Sequence, residues 1–476
     1  MGKGAGAGLT IVIVGASGDL ARKKVIPALF GLYCQGYLPA GFCVIGFARS
    51  RLTDETFRDR IEPHLTCRYT PLHQCSERMR EFLGRCHYVS GQYGSVDSYL
   101  EIFQRMRELE CEGRANRVFY MSAPPFLFME VARAMANAGL VTCGEERVWS
   151  RAVIEKPFGR DRKSSDELVA SLSQVFSEEQ TYRIDHYLGK EVVQNLQVLR
   201  FANLVFETIW NSDFIESVSI SWKEDAGVGE RGGYFDHYGI IRDVVQNHLA
   251  QILALVAMEP PASFHSRDMS AAKAEVLRAV VPAAGADWTI GQYEGYREER
   301  DVAADSRTET YASGVLHIDN ARWRGTPFLI EAGKGLDERV TEIRVRFRRT
   351  ACCEAVEELA GALPANELAI RVQPDETIRL GIVNKAPGLV MKLARTWLNL
   401  AYKSAFSEPI PEAYESLLLD VIEGDRSLFI TREELAAAWD IFTPLLHEME
   451  TGNVQPISYT FGSGGAGAPA GTTENA

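Results

Sequence analysis

The sequence predicts an N-terminal Rossmann-like, doubly wound α/β domain followed by a larger α+β domain with a mainly antiparallel sheet. Two observations support the first domain. The apolar run LTIVIV at residues 9–14 is typical of a strand buried on both faces of a parallel sheet. A glycine-bearing turn, a helical pattern and a second apolar run, FCVIGFA, follow it and complete a βαβ unit. The third observation is that apolar and polar residues alternate beyond Asp185, which is typical of antiparallel strands with one solvated face.

The remaining elements of the first domain follow the same pattern. Strands are predicted at RVFYMSA, from Arg117, and at RAVIEKP, from Arg151, with a helical pattern between them. The last 15 residues have too little apolar content to fold and are predicted to be a disordered tail. The predicted division of the chain is a Rossmann-like domain at residues 1–183, an α+β domain at residues 184–461, and the tail at residues 462–476.

The second domain combines alternating strands with helices. Alternation predicts strands at residues 218–223, 342–348 and 368–373. One helix is predicted from Gly239 to Met258. Another is predicted to begin at a T-x-x-E capping box at Thr431 and to end at His447.

Length and composition limit the class of protein. A chain of 476 residues is long enough for two or three domains. A content of 46% hydrophobic and 24% charged residues excludes disordered, collagen-like and small disulfide-bonded classes. The net charge of -13 argues against nonspecific nucleic-acid binding, and we predict no nucleic-acid partner. An anionic ligand therefore needs a local basic pocket.

The cysteine pattern and the hydropathy predict a cytoplasmic protein. The nine cysteines include no C-x-x-C pair, and their only close pair is the adjacent Cys352 and Cys353, which favours a reduced compartment. No apolar stretch approaches the roughly 18 residues of a membrane span, so we predict no membrane partner. The opening MGKGAGAG lacks the apolar core of a signal peptide.

The turn after the first strand is a candidate dinucleotide site. In GASGDL, residues 15–20, glycines allow main-chain amides to approach a pyrophosphate at the start of a helix. The spacing is not G-x-G-x-x-G, so an ordinary βα turn is the alternative. After the second strand, Arg49 and Ser50 stand where an NAD site usually has an acidic residue. A guanidinium there favours a 2′-phosphate and hence NADP, the alternative being a solvated arginine.

Two further segments carry candidate ligand-binding residues. Lys156 follows a buried strand at the carboxyl edge of the predicted parallel sheet, where such domains bind ligands, although Lys-Pro is also an ordinary loop signal. In RIDHYLGK, residues 183–190, Lys190 stands at the start of a helical pattern. A cation there opposes the helix dipole unless an anion binds, and a phosphate monoester held also by His186 and Tyr187 satisfies this. An exposed lysine is the alternative.

His248 is a candidate general base. Helical spacing places it on the apolar face of its predicted helix, one turn after Val244, where a histidine is usually a satisfied core residue. Polar residues lie close to it in sequence, and Asp185 is available to orient the imidazole. A base held by a carboxylate is what removal of a hydroxyl proton requires.

The motifs GASGDLARKK, EKPFG, RIDHYLGK, RGGYFD, IIRDVVQNHL and IRVQP occur in this order. With them, the chain closely resembles the glucose-6-phosphate dehydrogenase family from about Leu9 to Phe461. The resemblance implies a Rossmann coenzyme domain, an α+β domain whose antiparallel sheet serves subunit association, and a homodimer or homotetramer. It also implies oxidation of D-glucose 6-phosphate at C1 to 6-phospho-D-glucono-1,5-lactone, with hydride transfer to NADP, as the first step of the oxidative pentose phosphate pathway.

The resemblance also assigns roles to residues. It implies that His248 is the general base for the C1 hydroxyl and that Asp185 orients it and stabilises the imidazolium. It implies substrate-binding positions at Lys156, His186, Tyr187, Lys190, Glu224, Asp243, Lys334, Arg339 and Gln373. It implies coenzyme-binding positions at Gly15, Ala16, Ser17, Gly18, Asp19, Leu20, Ala21, Arg22, Arg49, Ser50 and Lys156. No metal ligand is predicted.

The chain departs from the family pattern where many members bind a second, structural NADP. Glu331 stands where an arginine is expected, and Val340 replaces another cation. A carboxylate there repels phosphate, and the tail lacks the late aromatic residue expected to stack on that nucleotide. We therefore predict that the second NADP is absent or weakly bound.

Two other functions compete with this interpretation. A different sugar or polyol dehydrogenase with a similar coenzyme domain, such as a member of the glucose-fructose oxidoreductase group, has no use for Lys190 because its substrate carries no phosphate. A nucleotide-sensing protein without turnover has no use for His248 and Asp185.

Overall fold

The N-terminal sheet is parallel throughout. The computed structural model describes residues 8–110, 115–141, 148–350 and 364–467. Six parallel strands follow the order β3-β2-β1-β4-β5-β6. They are β1 (Gly8–Val14), β2 (Phe42–Ala48), β3 (Cys86–Ser90), β4 (Ala115–Met121), β5 (Ser150–Ile154) and β6 (Thr181–Arg183). The sequence winds outwards on both sides of β1, which confirms the predicted doubly wound fold.

Helices connect these strands. Because the strands are parallel, their carboxyl ends share one edge of the sheet, and the turn after β1, Arg49 after β2 and Lys156 after β5 all lie at that edge. A π-helix at Ala21–Val25 precedes the first α-helix. The α-helices are Ile26–Cys34, Asp54–Ile61, Leu72–Gly84, Val96–Leu109, Phe128–Asn137 and Arg162–Leu172. Short 3-10 helices are Glu62–His64, Pro125–Leu127 and Glu178–Gln180.

The second sheet is mixed and mainly antiparallel, as predicted. It has the order β14-β13-β12-β11-β7-β10-β9-β8-β15, and only the pairs β10-β7 and β15-β8 are parallel. Its strands are β7 (Ile215–Lys223), β8 (Trp288–Tyr293), β9 (Tyr311–Leu316), β10 (Phe328–Gly333), β11 (Val340–Phe347), β12 (Glu367–Gln373), β13 (Thr377–Lys385), β14 (Leu393–Ala401) and β15 (Ile457–Tyr459). Buried residues alternate along β7, because only one face of this strand packs on the core.

Helices complete the second domain. Its α-helices are Glu191–Phe201, Leu204–Ile209, Gly232–Ile240, Ala250–Ala257, Ser266–Ala279, Tyr402–Ala405, Ala413–Glu423 and Arg432–Glu450. Short 3-10 helices are Gly229–Arg231, Gly285–Asp287 and Tyr296–Glu298. The hydroxyl of Thr431 accepts from the amide of Glu434 at 3.3 Å, as the capping pattern predicts, and the helix continues past His447 to Glu450.

The prediction of one continuous helix from Gly239 to Met258 is wrong. Gly239 has φ +72° and ψ 173°, so it interrupts the helix. A π-helix, Ile241–Leu249, follows and leads into Ala250–Ala257. His248 therefore lies on a π-helix and not on a regular α-helix. The prediction failed because apolar periodicity does not distinguish one added residue per turn over so short a segment.

The C-terminal part of the chain returns to the first domain. Ile184 forms a β-bridge with Phe429, and Arg151, on β5, donates to the main-chain oxygens of Val421 and Ile422. The prediction of a disordered tail is wrong over residues 462–467. Ser463 forms a bridge with Leu336, and Ala466 is 5% exposed. Residues 468–476 lie outside the described residues, and the boundary after Arg183 stays a prediction.

The cysteines differ from the fully reduced set that the sequence favours. Cys67 and Cys75 form a disulfide, with their Cα atoms 5.8 Å apart. The pairing was missed because a separation of eight residues matches no short cysteine motif, whereas the turn into the helix at Leu72–Gly84 brings the two together. Cys352 and Cys353 lie outside the described residues.

Across the described ranges, none of the helices combines the length and the apolar character needed to cross a bilayer.

Candidate active site

The turn after β1 packs closely against the main chain that follows β4. Gly15 has φ +89°, and a Cβ there would come within 2.3 Å of the main-chain oxygen of Ser122, so only glycine fits. The Gly15 amide donates to Phe47 on β2 at 2.7 Å, and the Gly18 amide donates back to Gly15 at 2.9 Å. These bonds fix the turn where β1 meets the following helix, the position in which Rossmann-like folds bind a pyrophosphate.

Two cations of the turn are already paired. Lys23 Nζ lies 2.8 Å from Asp19 Oδ2, and Arg22 also contacts this carboxylate. Hydrogen bonds from Lys23 and Arg22 lower the pKa of Asp19. Arg22 is therefore paired within its own turn in this structure.

Arg49 is available for an anion. It is exposed after β2, with its guanidinium carbon 5.5 Å from the centre of the Tyr93 ring. Within the described ranges, no carboxylate lies within 4.0 Å of it. The Ser50 hydroxyl donates to that of Ser17 at 3.2 Å, which joins the end of β2 to the glycine turn.

Lys156 joins the two domains. Its Nζ donates to the carboxylate of Asp243 at 2.9 Å and to the main-chain oxygen of the same residue at 2.7 Å. Burial opposes ionisation of Asp243, but the charges of Lys156 and Arg231 hold the pKa of this carboxyl well below its usual range. The carboxyl edge of the parallel sheet is thereby tied to the helix that carries His248.

His248 and Asp185 form a buried pair. His248 Nδ1 lies 2.6 Å from Asp185 Oδ1, and the two residues are 3% and 2% exposed. Burial opposes ionisation of Asp185, yet the interactions with His248 and the amide of Tyr187 keep its pKa low. An ionised carboxylate accepts only, so Nδ1 carries the proton and Nε2 keeps a free lone pair. Burial lowers the pKa of His248, although Asp185 opposes this, so the imidazole is neutral near pH 7.

Aromatic and polar side chains surround this pair. The Tyr187 ring lies 4.5 Å from that of His248, and the His186 ring meets the same ring edge-on at 4.7 Å. The Tyr187 hydroxyl accepts from Trp222 at 2.5 Å and from Gln373 at 3.1 Å. Burial holds the pKa of His186 well below its usual range, so this ring is also neutral. The imidazole of His248 is thus held on several sides.

A cationic cavity of about 580 Å³ adjoins the pair. Two of its cations are paired, Arg68 with Glu412 at 3.1 Å and Lys403 with Asp375 at 2.5 Å. Its other cations, at least over the described ranges, have no carboxylate within 4.0 Å. They are Lys24, Lys190 and Arg339. His186, Gln373 and Leu20 also line the cavity, which therefore adjoins the residues around His248 and the end of the coenzyme turn.

Lys334 and Glu224 form a second pair at the end of β10. Lys334 Nζ lies 2.5 Å from Glu224 Oε2, and its ammonium is 5.0 Å from the centre of the Trp222 ring. Trp222 in turn donates to Tyr187, which connects this pair to the surroundings of His248. The arrangement can position a polyhydroxylated ligand beside a base.

Sequence and structure comparisons now identify the family. The family model described as "Glucose-6-phosphate dehydrogenase, NAD binding domain" matches residues 12–195, and "Glucose-6-phosphate dehydrogenase, C-terminal domain" matches residues 197–475. The chain belongs to the glucose-6-phosphate dehydrogenase family. This confirms the family that the motifs predicted.

Curated relatives match over nearly the whole chain. A chloroplastic glucose-6-phosphate 1-dehydrogenase 1 of Arabidopsis thaliana is 49% identical, with 96% of this chain and 81% of that protein covered. A cytoplasmic glucose-6-phosphate 1-dehydrogenase 6 of the same plant is 44% identical, with 96% and 89% covered.

Two solved structures of the family superpose on the chain. A glucose-6-phosphate dehydrogenase in complex with its substrate glucose 6-phosphate is 40% identical, with a TM-score of 0.89 and coverage of 99% and 97%. The glucose-6-phosphate 1-dehydrogenase of Mycobacterium avium is 33% identical, with a TM-score of 0.82 and coverage of 97% and 96%.

In this family member, the predicted site residues fall into four groups. The base and its surroundings meet at one place: His248, Asp185, His186, Tyr187, Lys156, Asp243 and Gln373. Lys190 and Arg339 line the adjoining cavity, and Glu224 and Lys334 pair beside Trp222. The turn at residues 15–22, Arg49 and Ser50 lie at the carboxyl edge of the parallel sheet. Lys190 immediately precedes the helix Glu191–Phe201 as its N-cap residue and is not part of its first turn.

Sequence reasoning missed three cations of the cavity, which are Lys24, Arg68 and Lys403. Lys24 lies in the recognised motif GASGDLARKK, which was interpreted only as a coenzyme turn. Arg68 lies in a segment without a motif, and only the fold brings it to Glu412. Donor atoms of Asp185, His186 and His248 also lie within 4.8 Å of one another, but His248 Nδ1 and Asp185 Oδ1 are bonded to each other. The prediction that no metal is bound stays a prediction.

Proposed function

We propose that this chain oxidises D-glucose 6-phosphate at C1 to 6-phospho-D-glucono-1,5-lactone and transfers the hydride to NADP, the first step of the oxidative pentose phosphate pathway. The observation that carries the proposal is the buried pair of His248 and Asp185, 2.6 Å apart, beside a cavity where three cations have no carboxylate partner among the described residues. A base beside an anion pocket suits a sugar that carries a phosphate at its other end.

His248 removes the proton of the C1 hydroxyl. Its Nε2 lone pair accepts the proton while the C1 hydrogen leaves with its electron pair and the C1–O bond becomes a carbonyl. The imidazolium that forms is stabilised by the ionised Asp185, as the short contact to Nδ1 allows. NADP, when bound, supplies the hydride acceptor.

The cationic cavity selects a phosphorylated sugar. Lys190 and Arg339 supply positive charge without a carboxylate partner in the described chain, and His186 lies between them and His248. Burial lowers the pKa of Lys190, with Glu376 and Glu412 opposing the shift, so a bound phosphate stabilises the charged form of this ammonium.

The coenzyme turn fits NADP. Gly15 lets the turn pack against the main chain of Ser122, and Arg49 beside Ser50 offers a guanidinium and a hydroxyl to a 2′-phosphate. Lys156 lies between this edge of the sheet and Asp243, where it contacts both substrate and coenzyme in the proposed complex.

We propose that the second, structural NADP is absent or weakly bound. Glu331 is buried and accepts from the Tyr311 hydroxyl at 3.1 Å, while Lys223 lies 3.5 Å from its carboxylate. Lys223 is therefore already neutralised, and the neighbouring carboxylate disfavours phosphate. Equilibrium binding tests this: we expect one NADP per chain, and two tight sites would contradict the proposal.

The oligomeric state and the location are also proposals. β14 is an edge strand with exposed apolar residues, Leu398 at 59% among them, which supports association of two chains as a homodimer or homotetramer through this sheet. Light scattering tests it, and a monomer at working concentration would contradict it. A cytoplasmic location stays a prediction, because the Cys67–Cys75 disulfide weakens its cysteine argument and the relatives include chloroplastic and cytoplasmic proteins.

A substrate panel tests the activity. NADPH formation is measured with glucose 6-phosphate and with glucose, and NADP is then replaced by NAD. We expect turnover to depend strongly on the sugar phosphate. Equal turnover of both sugars would favour an unphosphorylated-sugar dehydrogenase, and no turnover with either would favour a nucleotide sensor.

A further inference from the structure

A carboxylate outside the predicted site caps the helix that carries His248. The amide of Ile241, the first residue of the π-helix Ile241–Leu249, donates to Glu309 Oε1 at 3.1 Å. The amide of Ile240 donates to the main-chain oxygen of Glu309 at 2.9 Å. Amides at a helix N-terminus have no partner within the helix. Glu309 thus supplies from a distant segment the acceptor that an N-cap side chain usually provides.

Glu309 and Gly239 fit each other sterically. A Cβ at Gly239 would lie 2.2 Å from Glu309 Oε1, and Glu309 is only 3% exposed. The carboxylate therefore occupies the space that a side chain at position 239 would need. This contact fixes where the preceding helix stops and where the π-helix begins.

The segment before Glu309 is anchored on the preceding helix, Gly232–Ile240. Asp236 of this helix accepts from the Ser306 hydroxyl at 2.5 Å and from the Ala303 amide at 3.3 Å. Its main-chain oxygen accepts from the Thr308 hydroxyl at 2.7 Å. The helix Gly232–Ile240 thus holds the segment that carries Glu309 in place.

The residue after Glu309 reaches the other wall of the site. The main-chain oxygen of Thr310 accepts from the amide of Lys334 at 2.9 Å. The Thr310 hydroxyl lies 2.9 Å from that of Tyr459, which donates to the main-chain oxygen of Lys334 at 2.6 Å. Glu309 and Thr310 therefore connect the π-helix that carries His248 with the end of β10, where Lys334 lies.

We propose that Glu309 is a positioning residue for the dehydrogenase reaction: by capping the π-helix, it sets the places of Asp243 and His248 relative to Lys334 and the bound sugar. The inference rests on the proposed function. Glu309 acts through hydrogen bonds to the main chain and does not itself contact the reacting atoms.

Titration of the Glu309 carboxyl predicts a pH dependence of the reaction. Burial raises the pKa of Glu309 to about 7, with Arg242 opposing the shift. The other charged or titratable groups that face it are Glu450, which pairs with Arg242 at 2.6 Å, and Tyr296. The cap is anionic above this pKa, where it complements the helix dipole, and neutral below it. A glutamine keeps an acceptor oxygen and does not titrate.

Three variants test the inference: Glu309→Ala, Glu309→Gln and, as a control, Glu298→Ala on the exposed surface of the same loop. Each is measured for kcat and KM, for NADP affinity, for thermal stability, and for the isotope effect with C1-deuterated glucose 6-phosphate. For Glu309→Ala we expect kcat per NADP-binding molecule to fall about 10- to 100-fold, because small displacements of a base have this effect. NADP affinity stays unchanged and the isotope effect is fully expressed.

The conservative variant separates positioning from folding. We expect Glu309→Gln to recover kcat to within about threefold at pH 8, and to lose the component of the wild-type kcat/KM profile that changes near pH 7. If Glu309→Ala does not fold, the pH profile of Glu309→Gln alone tests the positioning role. The inference is overturned if Glu309→Ala keeps its kcat, if Glu309→Gln is as impaired as Glu309→Ala, or if Glu309→Gln keeps the wild-type pH profile. An inactive wild type would instead overturn the proposed function.

Discussion

His248 and Asp185 stand 63 positions apart in the chain and meet through one contact of 2.6 Å. In the proposed reaction, that contact decides which imidazole nitrogen faces the substrate, because the ionised carboxylate holds the proton on Nδ1. The proposed chemistry therefore depends on one residue that transfers a proton and one that orients it.

Replacement of the base tests this directly. For His248→Asn we expect kcat to fall roughly 10²- to 10⁴-fold with little change in the KM for glucose 6-phosphate, because general-base catalysis acts in the transition state. Steady-state kinetics measure it, with the exposed His265→Asn as a matched control. Near-normal turnover would remove the assigned role.

Lys190 is predicted to bind the phosphate. For Lys190→Ala we expect the KM for glucose 6-phosphate to rise about tenfold or more and the preference over glucose to shrink, because a charge-assisted contact to phosphate is lost. Lys163→Ala, an exposed lysine on another helix, is the control. An unchanged preference between the two sugars would assign the phosphate to other cations of the cavity.

Arg49 is predicted to select the coenzyme. A charge-assisted hydrogen bond contributes roughly 1.5–3 kcal/mol and exposure reduces this, so for Arg49→Ala we expect about a tenfold loss of selectivity for NADP over NAD. Comparing kcat/KM for the two coenzymes measures it. Retained selectivity would locate the 2′-phosphate contact elsewhere.

Residue patterns identified His248, Asp185 and Lys190 as candidate site residues, because these residues lie in distinctive motifs. They could not predict Arg68 or Glu309, whose roles depend on contacts with residues far away in the chain. A lone charged side chain in a loop has the same local sequence whether it faces water or a helix end.

At the scale of elements, the π-helix Ile241–Leu249 concentrates the polar groups of the site. All nine of its residues are buried, so apolar periodicity gives no information about which of them face the substrate. The predicted α-helix had the right location and the wrong winding. Only the structure shows that Gly239 has a positive φ, which interrupts the helix before the π-helix begins.

The ion pair between Lys156 and Asp243 predicts that the stability of the protein depends on pH. The pKa of Asp243 is lowered on folding from its ordinary 3.8, so this pair contributes stability above that pH and loses it as pH falls below. For Asp243→Asn we expect a loss of about 2 kcal/mol at pH 6, because Lys156 is left without its partner. Thermal unfolding of both proteins against pH measures the difference.

The difference between the two proteins is expected to shrink as the pH falls below 3.8. A difference that stays constant down to acid pH would show that the pair is not the cause. Asp59 is an exposed carboxylate, and Asp59→Asn is expected to leave the stability unchanged both at pH 6 and below pH 3.8.

At the scale of the whole molecule, two sheets with different hydropathy patterns meet at the site. Continuous apolar strands predicted the parallel sheet and alternating strands predicted the antiparallel one, and both predictions are confirmed. The return of the C-terminal segment to β5 and β6 was not predictable, because packing between elements far apart in sequence leaves no periodic signal.

The account's central claim is that one bound sugar phosphate reaches from Lys190 and Arg339 to His248. A crystal structure of the chain with glucose 6-phosphate measures this. We expect the phosphate to contact Lys190 or Arg339 and the C1 hydroxyl to lie within about 3.2 Å of His248 Nε2. A phosphate bound outside this cavity, or a C1 hydroxyl beyond hydrogen-bonding reach of His248, would contradict the account.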